Sequence, residues 1–297
     1  MTFDTFIGTL VNGIALGMAY ALIAVGYSMV FGILRLINFS HSSVYAFGAY
    51  MVFLFTSLNF GLFPAILCSI VLSGILAVMI NKLTLEPLRK KKSIPIATLV
   101  TTIGVSYIIQ NVLSLEIVFS SEKKGFPSLN LFRNLKIGNV TIQSSQIIMF
   151  AVAMVLLIIL TTIVNKTKIG LAMRATEQNT KAASLMGIDV NMIITFSFFL
   201  GGASAAIAGS LIGGYYQVIS PTMGSIIGLK AFSAAVVGGI GILYGSVVGG
   251  LVIGVAECFA AQLLGSNVRD PMAFVILILI LIIKPNGLFG KKGIVKV

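Results

Sequence analysis

The chain has 297 residues, of which 58% are hydrophobic and only 9% charged, and its mean hydropathy is +1.07. A soluble fold of that length could not hide so much apolar surface, and apolar runs of about 20 residues, the length that crosses a bilayer as a helix, recur along it. The formal charge of +12 lies in the loops between those runs, where the positive-inside bias accounts for it and no nucleic-acid partner is implied. The expected fold is therefore all-α: one polytopic transmembrane helical bundle spanning residues 1–297, with about 8–9 membrane segments.

The first segments follow in order. MTFDTF carries an acid and no Lys or Arg, so a cleaved signal peptide is not expected. Phe6 to Leu34 is the first span, with Gly13 and Gly17 spaced for close helix packing, and Arg35 closes it. LINFSHSSVYAFGAY then crowds Asn38, Ser40, His41, Ser42 and Ser43 where a hairpin should be short. Polar backbone breaks at membrane depth are tolerated where they are buried in protein or line a cavity, which makes Asn38, Ser40, His41 and Ser42 candidates for a translocation path. A lone histidine is by default structural, and Ser40 or Ser42 is expected to cap the next helix. Val44–Leu58 and Leu62–Ile80 are the second and third spans. KLTLEPLRKKKS, with Lys82, Arg89, Lys90, Lys91 and Lys92, is the strongest basic cluster and is expected in the cytoplasm. Pro95–Val118 leads out, Ser120–Gln143 is an external polar loop with room for a short strand or helix, and Ile147–Val164 returns.

The densest mixed-charge segment, Lys166–Asn191 (KTKIGLAMRATEQNTKAASLMGIDVN), follows. Its apolar residues recur at helical spacing among the charges, and Gly187 stands where a helix ends. The expectation is a short amphipathic helix on the cytoplasmic face, either merely interfacial or a contact for another protein. Met192–Leu211 leads out, with Gly201, Gly202, Ala205 and Gly209 on one tight-packing face, and Gly213–Gly224 breaks the helix. In Ser225–Leu264, Gly241, Gly245 and Gly249 repeat at four-residue spacing, as do Gly250 and Gly254. This stretch reads equally as two spans or as a re-entrant hairpin. Lys230 and Glu257 lie within it, and charges at such depth face a protein interior or a wet cavity. Together with Tyr215 they join the candidate path. Pro271–Ile283 is a short last span and the basic tail is cytoplasmic, so the N-terminus is outside and the C-terminus inside. LINFSHSSVYAFGAY and YYQVISPTMGSIIGLKAF echo each other as polar breaks before apolar helices, the mark of paired repeats in transporters or a chance similarity of two loops.

Catalytic chemistry is not visible. Cys68 and Cys258 lie in apolar runs and indicate neither disulfide nor metal. The nearest approach to a phosphate-binding G-x-x-x-x-G-K-[ST], near Gly287–Lys291, fails on spacing and final residue, and no G-x-S-x-G elbow occurs. The chain is read as a non-enzyme with no cofactor or metal of its own. A self-sufficient channel or carrier would have to use Lys230 and Glu257 as an intramembrane charge pair.

GLAMRATEQNTKAASLMGID, the long run FFLGGASAAIAGSLIGGYYQVISPTMGSIIGLKAFSAAVVGGIGILYGSVVGGLVIGVAE, the earlier ALIAVGYSMVFGILRLINFSHSSVYAFGAY and the late KPNGLFG closely resemble the integral-membrane permease of branched-chain amino-acid ABC transporters, the smaller of the two paired permeases. The resemblance covers almost the whole chain. It implies import of leucine, isoleucine and valine across a bacterial cytoplasmic membrane, with the same architecture serving urea, short amides or other amino acids as the alternative. It implies as partners a second permease, two cytoplasmic ATP-binding subunits that use the ATP, and an extracytoplasmic substrate-binding protein. It identifies 166–191 as the coupling loop, with Gly170, Arg174, Ala175, Glu177, Ala182, Ala183, Gly187 and Ile188 at the pattern positions. Arg174 and Glu177 would bond the ATPase surface, and the small residues would let the helix seat in its groove. The family often has an acid after the position of Gln178, where this chain has Asn179.

Overall fold

The computed structural model describes residues 2–91, 93–129, 132–137 and 140–290; Lys92 and the tail beyond Gly290, including Lys291, lie outside them. Helix α1 (Phe3–Leu34) is the central strut. Around it, in chain order, come α2 (His41–Ser57), α3 (Leu62–Ile80), which continues through a π turn at Asn81–Leu85 into the short α4 (Glu86–Lys90), and α5 (Pro95–Ser114). An excursion then carries β1 (Lys124–Gly125) and the hairpin β2 (Leu135–Ile137) and β3 (Val140–Ile142). It is followed by α6 (Ser144–Lys166), α7 (Lys168–Gln178), α8 (Thr180–Leu185), α9 (Val190–Tyr216), β4 (Val218–Ile219), α10 (Met223–Gly238), α11 (Leu243–Leu264) and α12 (Arg269–Ile283). Among the described residues, seven helical segments are long and apolar enough to cross a membrane; α2 and α10 are shorter. The chain is a polytopic helical membrane protein.

Glycine sorts the helices. On α1, Gly13 lies against Val255 and Gly17 against Leu251, so α1 and α11 run antiparallel with backbones touching. The glycine repeats of α11 divide between two partners, Gly250 and Gly254 facing α1 and Gly245 and Gly249 facing α10. Without a hydrophobic drive between helices in lipid, such close approach is what holds them together. The glycines of α9 do not share one face: Gly202 packs on α3 and Gly209 on α2. Nor do Gly213 and Gly214 break α9, which continues to Tyr216 because Ile219 with Phe126, and Leu129, pack against them.

The two polar breaks are structural counterparts. Each follows a long helix, α1 or α9, that ends on a non-glycine residue in the left-handed region, Arg35 (φ 51) or Gln217 (φ 56). Each leads through six residues, 35–40 or 217–222, into a short helix that begins inside the bundle. Helices α1 and α9 are antiparallel, since Gly26 meets Ser204 where Gly201 meets Val30. The connectors therefore enter from opposite ends, and the starts of α2 and α10 meet, Gly224 and Gly228 seating on Ser42. At the connector after α9, β4 pairs with β1. The stretch 225–264 is two antiparallel helices, α10 from inside the bundle and the span α11, and the 239–242 turn between them reaches the basic end beside Phe31 and Gly32, which a hairpin entering and leaving at the other end would not.

Candidate functional site

Polar residues converge at three levels. At the meeting of α2 and α10, Asn38 Oδ1 accepts from the Ser40 amide (3.2 Å) and hydroxyl (2.5 Å), and the Ser42 hydroxyl donates to the Phe39 carbonyl (2.8 Å). Neither serine caps α2: their hydroxyls are spent on the connector. Helix α5 steadies this turn, Thr102 Oγ1 accepting from the Phe39 amide (3.2 Å) and Ser106 sharing a hydrogen with Ser43 (2.6 Å). His41 is buried edge-on to Tyr27 at 4.8 Å, and its Nε2 has no hydrogen-bond partner among the described residues. Ser42 fills the space beside Gly224 and Gly228, so the starts of α2 and α10 are in direct contact.

Nearer the opposite end is an ionic cluster. Lys230 Nζ stands 2.8 Å from Glu257 Oε1 and 2.6 Å from Asp270 Oδ1, and Arg269 Nε is 2.7 Å from Glu257 Oε1. Tyr20 donates to Glu257 (3.3 Å) and Arg269 to Tyr216 (2.5 Å). Two cations face two carboxylates, and the cluster ties together α1, α9, α10, α11 and α12. Lys230 and Glu257 are fully buried, where only such pairing makes charge tolerable. Tyr215 stands beside it, donating to Asn12 Oδ1 (3.0 Å) and lining a cavity of about 220 Å³ with Cys258 and Arg269. Thus Tyr215, Lys230 and Glu257 come together, whereas Asn38, Ser40, His41 and Ser42 form a separate group. Arg269 and Asp270 precede the last apolar run and are not among the candidate residues of the sequence. Their signal was charge balance: an Arg–Asp pair abutting an apolar run, with a lone Lys and a lone Glu in the run before it.

At the basic end, the loop is two helices rather than one. Thr167 Oγ1 caps α7 by accepting from the Gly170 amide (3.0 Å), and Gly170 lies on the Ile163 and Val164 carbonyls, where no side chain fits. Asn179 ends α7 and caps α8, its Oδ1 accepting from the amides of Lys181 and Ala182 (3.0 Å each). Gly187, at φ +84, closes α8, and Asp189 caps α9 (3.1 Å to the Met192 amide). Ala183 is buried, Ala175 and Ile188 half-buried, and Ala182 and Gly187 exposed. Arg174 donates to the Val164 carbonyl. The Glu177 carboxylate lies over Gly32; partial burial raises its pKa and the charge of Arg35 partly offsets this. A cavity of about 570 Å³ joins Arg35, Arg174 and Glu177 to the 241–244 turn. The exposed surface of the segment mixes charged side chains such as Lys168 and Lys181 with large apolar ones, Leu171 61%, Leu185 88% and Met186 83% exposed. These three were not singled out as site residues; three apolar side chains in a charged loop were the signal.

Comparison with known proteins places this arrangement. Residues 9–283 match the model of the family described as branched-chain amino acid transport system / permease component. The chain belongs to that family. It is 37% identical over 98% of both chains to the high-affinity branched-chain amino acid transport system permease protein BraD of Pseudomonas aeruginosa. It is 34% identical, again over 98% of both, to the permease protein LivH of the Escherichia coli system of the same description. The probable LivH of Methanocaldococcus jannaschii is 29% identical over 91% of this chain and 88% of its own. The family match thus runs from α1 to the end of α12.

Proposed function

We propose that this chain is the membrane-spanning permease subunit of an ATP-binding-cassette importer for leucine, isoleucine and valine. The observation that carries the reading is end-to-end similarity to permeases named for high-affinity branched-chain amino acid transport. In this reading the importer also contains a second permease, two cytoplasmic ATP-binding subunits and an extracytoplasmic substrate-binding protein, and ATP is bound and hydrolysed by those partners alone. The basic end faces the cytoplasm, the C-terminus with it, because Lys82, Arg89, Lys90 and Lys91 share that end with the α7–α8 segment.

The α7–α8 segment is the ATPase-coupling element. Leu171, Leu185 and Met186 seat in a groove of the ATP-binding subunit, with Ala182 and Gly187 allowing close approach. Gly170, Ala175, Ala183 and Ile188 hold the segment against the bundle. Arg174 and Glu177 act on the bundle side, Arg174 fixing α7 to the end of α6 and Glu177 bearing on Gly32 and Arg35. A shift of α7 is then felt at Arg35, which opens the connector to Asn38–Ser43, and across the cavity at the 241–244 turn below α10. Those are the bases of the two short helices whose starts meet at the centre, so moving them apart opens the path at Asn38, Ser40, His41 and Ser42. Tyr215, Lys230 and Glu257 flank the opposite entrance.

Uptake of labelled leucine in a strain lacking this gene, with and without its restoration and with urea uptake measured alongside, tests the cargo. Leucine uptake restored by the gene and unchanged urea uptake are expected; leucine uptake indifferent to the gene in a strain with no other leucine carrier overturns it. In the restored strain, Leu185→Asp and Arg174→Glu are each expected to lower uptake at least tenfold, Leu185→Asp by loss of the ATP-binding subunit from the purified complex. Retention of both uptake and subunit would remove the coupling assignment.

A further inference from the structure

The basic end carries a feature that transport does not use. Both terminal nitrogens of Arg89 are buried, and neither has a hydrogen-bond acceptor among the described residues. The nearby carboxylate, Glu86, is engaged by Lys90 at 2.8 Å. The Thr176 and Thr180 hydroxyls donate to backbone carbonyls of their own segment. A guanidinium is always charged and presents a planar fork of donors, and leaving it buried without an acceptor is strongly unfavourable. The side chain lines a cavity of about 350 Å³ between α4 and the ends of α1, α7 and α9, with Thr176, Thr180, Asn191 and Ile194 on the far wall. The π turn at Asn81–Leu85 puts it there: one residue added to a helical turn rotates everything after it by about 100°. Arg89 is half-buried as a result, while Lys82 and Lys90 remain exposed.

A second cavity indicates what supplies the acceptor. Farther back on the same helix, Ile75, Val78, Met79 and Leu83 of the α3–π segment form with Phe199 of α9 an apolar groove of about 470 Å³, with Lys82 at its rim. Ile75, Met79 and Leu83 are 46%, 49% and 69% exposed on a helix apolar enough to sit in lipid. An apolar groove that ends in cations at one face of the membrane matches an acyl chain below a phosphate, the arrangement by which basic pockets between transmembrane helices hold anionic head groups.

We propose that the Arg89 cavity binds a phosphate oxyanion, presented by an anionic phospholipid whose acyl chain occupies the Ile75–Phe199 groove. Arg89 gives the bidentate contact, and Lys82 and Lys90 stand at the rim. The proposal is independent of the transported cargo, and its test measures no transport.

The full chain, purified in detergent, is titrated with dioleoylphosphatidylglycerol, with dioleoylphosphatidylcholine and with inorganic phosphate, and read by native mass spectrometry and thermal unfolding. Wild type is expected to retain phosphatidylglycerol at least tenfold better than phosphatidylcholine and to gain several degrees with it. Arg89→Gln is expected to fall to the phosphatidylcholine level, and Arg133→Gln, in the exposed excursion at the other end, to behave as wild type. Lipid-free Arg89→Gln should unfold no earlier than wild type, since it loses only an unpaired charge; if it does not fold, Arg89→Lys, which keeps the charge without the fork, is expected to show an intermediate preference. Stabilisation by inorganic phosphate that needs Arg89, without lipid preference, would keep the anion site and assign it a soluble source. Equal lipid and phosphate responses in wild type and the Arg89 variants overturn the proposal, as does an Arg89 found paired to a carboxylate of the ATP-binding subunit in the assembled importer.

Discussion

Lys230 and Glu257 show what pairing does for a charge in this bundle. Glu257 accepts from Lys230, Arg269 and Tyr20 through one oxygen, while its other oxygen is buried without a partner among the described residues. Removing Glu257 takes the only carboxylate partner recorded for Arg269 among the described residues and leaves Lys230 with Asp270 alone. Glu257→Ala is therefore expected to destabilise the bundle by about 3–5 kcal/mol, the range for breaking a buried pair, whereas the double variant Lys230→Met/Glu257→Met should recover much of the loss. Thermal unfolding of the purified chain checks both. If the double variant is no more stable than Glu257→Ala, the cluster's value lies elsewhere than in charge balance.

At the scale of the element, Asn179 divides the exposed segment in two and caps the second half. Asn179→Ala should weaken α8 by about 1 kcal/mol, and Asn179→Asp should leave it intact, because a carboxylate caps as well as an amide. The amides of Lys181 and Ala182 are expected to exchange hydrogen faster in the first variant only, read by mass spectrometry. Close helix contact makes a second demand. Gly17 on α1 and Gly250 on α11 each have partner backbone where a side chain would go, so Gly250→Leu is expected to force α1 and α11 apart and sharply lower the yield of monodisperse protein, while Gly104→Leu, on an open face of α5, is tolerated.

For the whole molecule, two inverted units, α1–α2–α3 and α9–α10–α11, place one broken connector at each end and bring their short helices together in the middle. Paired inverted repeats of this kind are how many transporter folds place a central site between two halves. Orientation follows from the proposed cytoplasmic basic end. With Cys68 and Cys258 replaced, a Ser121→Cys variant is expected to react with a membrane-impermeant maleimide in intact cells, and a Lys91→Cys variant only after permeabilisation; the reverse pattern would invert the topology. Both sites are exposed and lie at opposite ends.

The amino-acid sequence by itself determined the class, the order of the main spans, the density of close-packing glycines, the basic end, the exposed segment and the family, because hydropathy, loop charge and local motifs are properties of adjacent residues. It also exposed both polar breaks and the burial of Lys230 and Glu257. Tertiary structure decided which glycine faces which helix, that 225–264 turns at the basic end, and that Arg269 and Asp270 complete the ionic cluster. It also showed that the two breaks are inverted counterparts and that Arg89 points into a cavity rather than into water. These depend on the rotational phase of each helix, which a single π turn or a left-handed cap resets, and on which distant backbones come within contact of one another; neither quantity is written in the spacing of residues along one run.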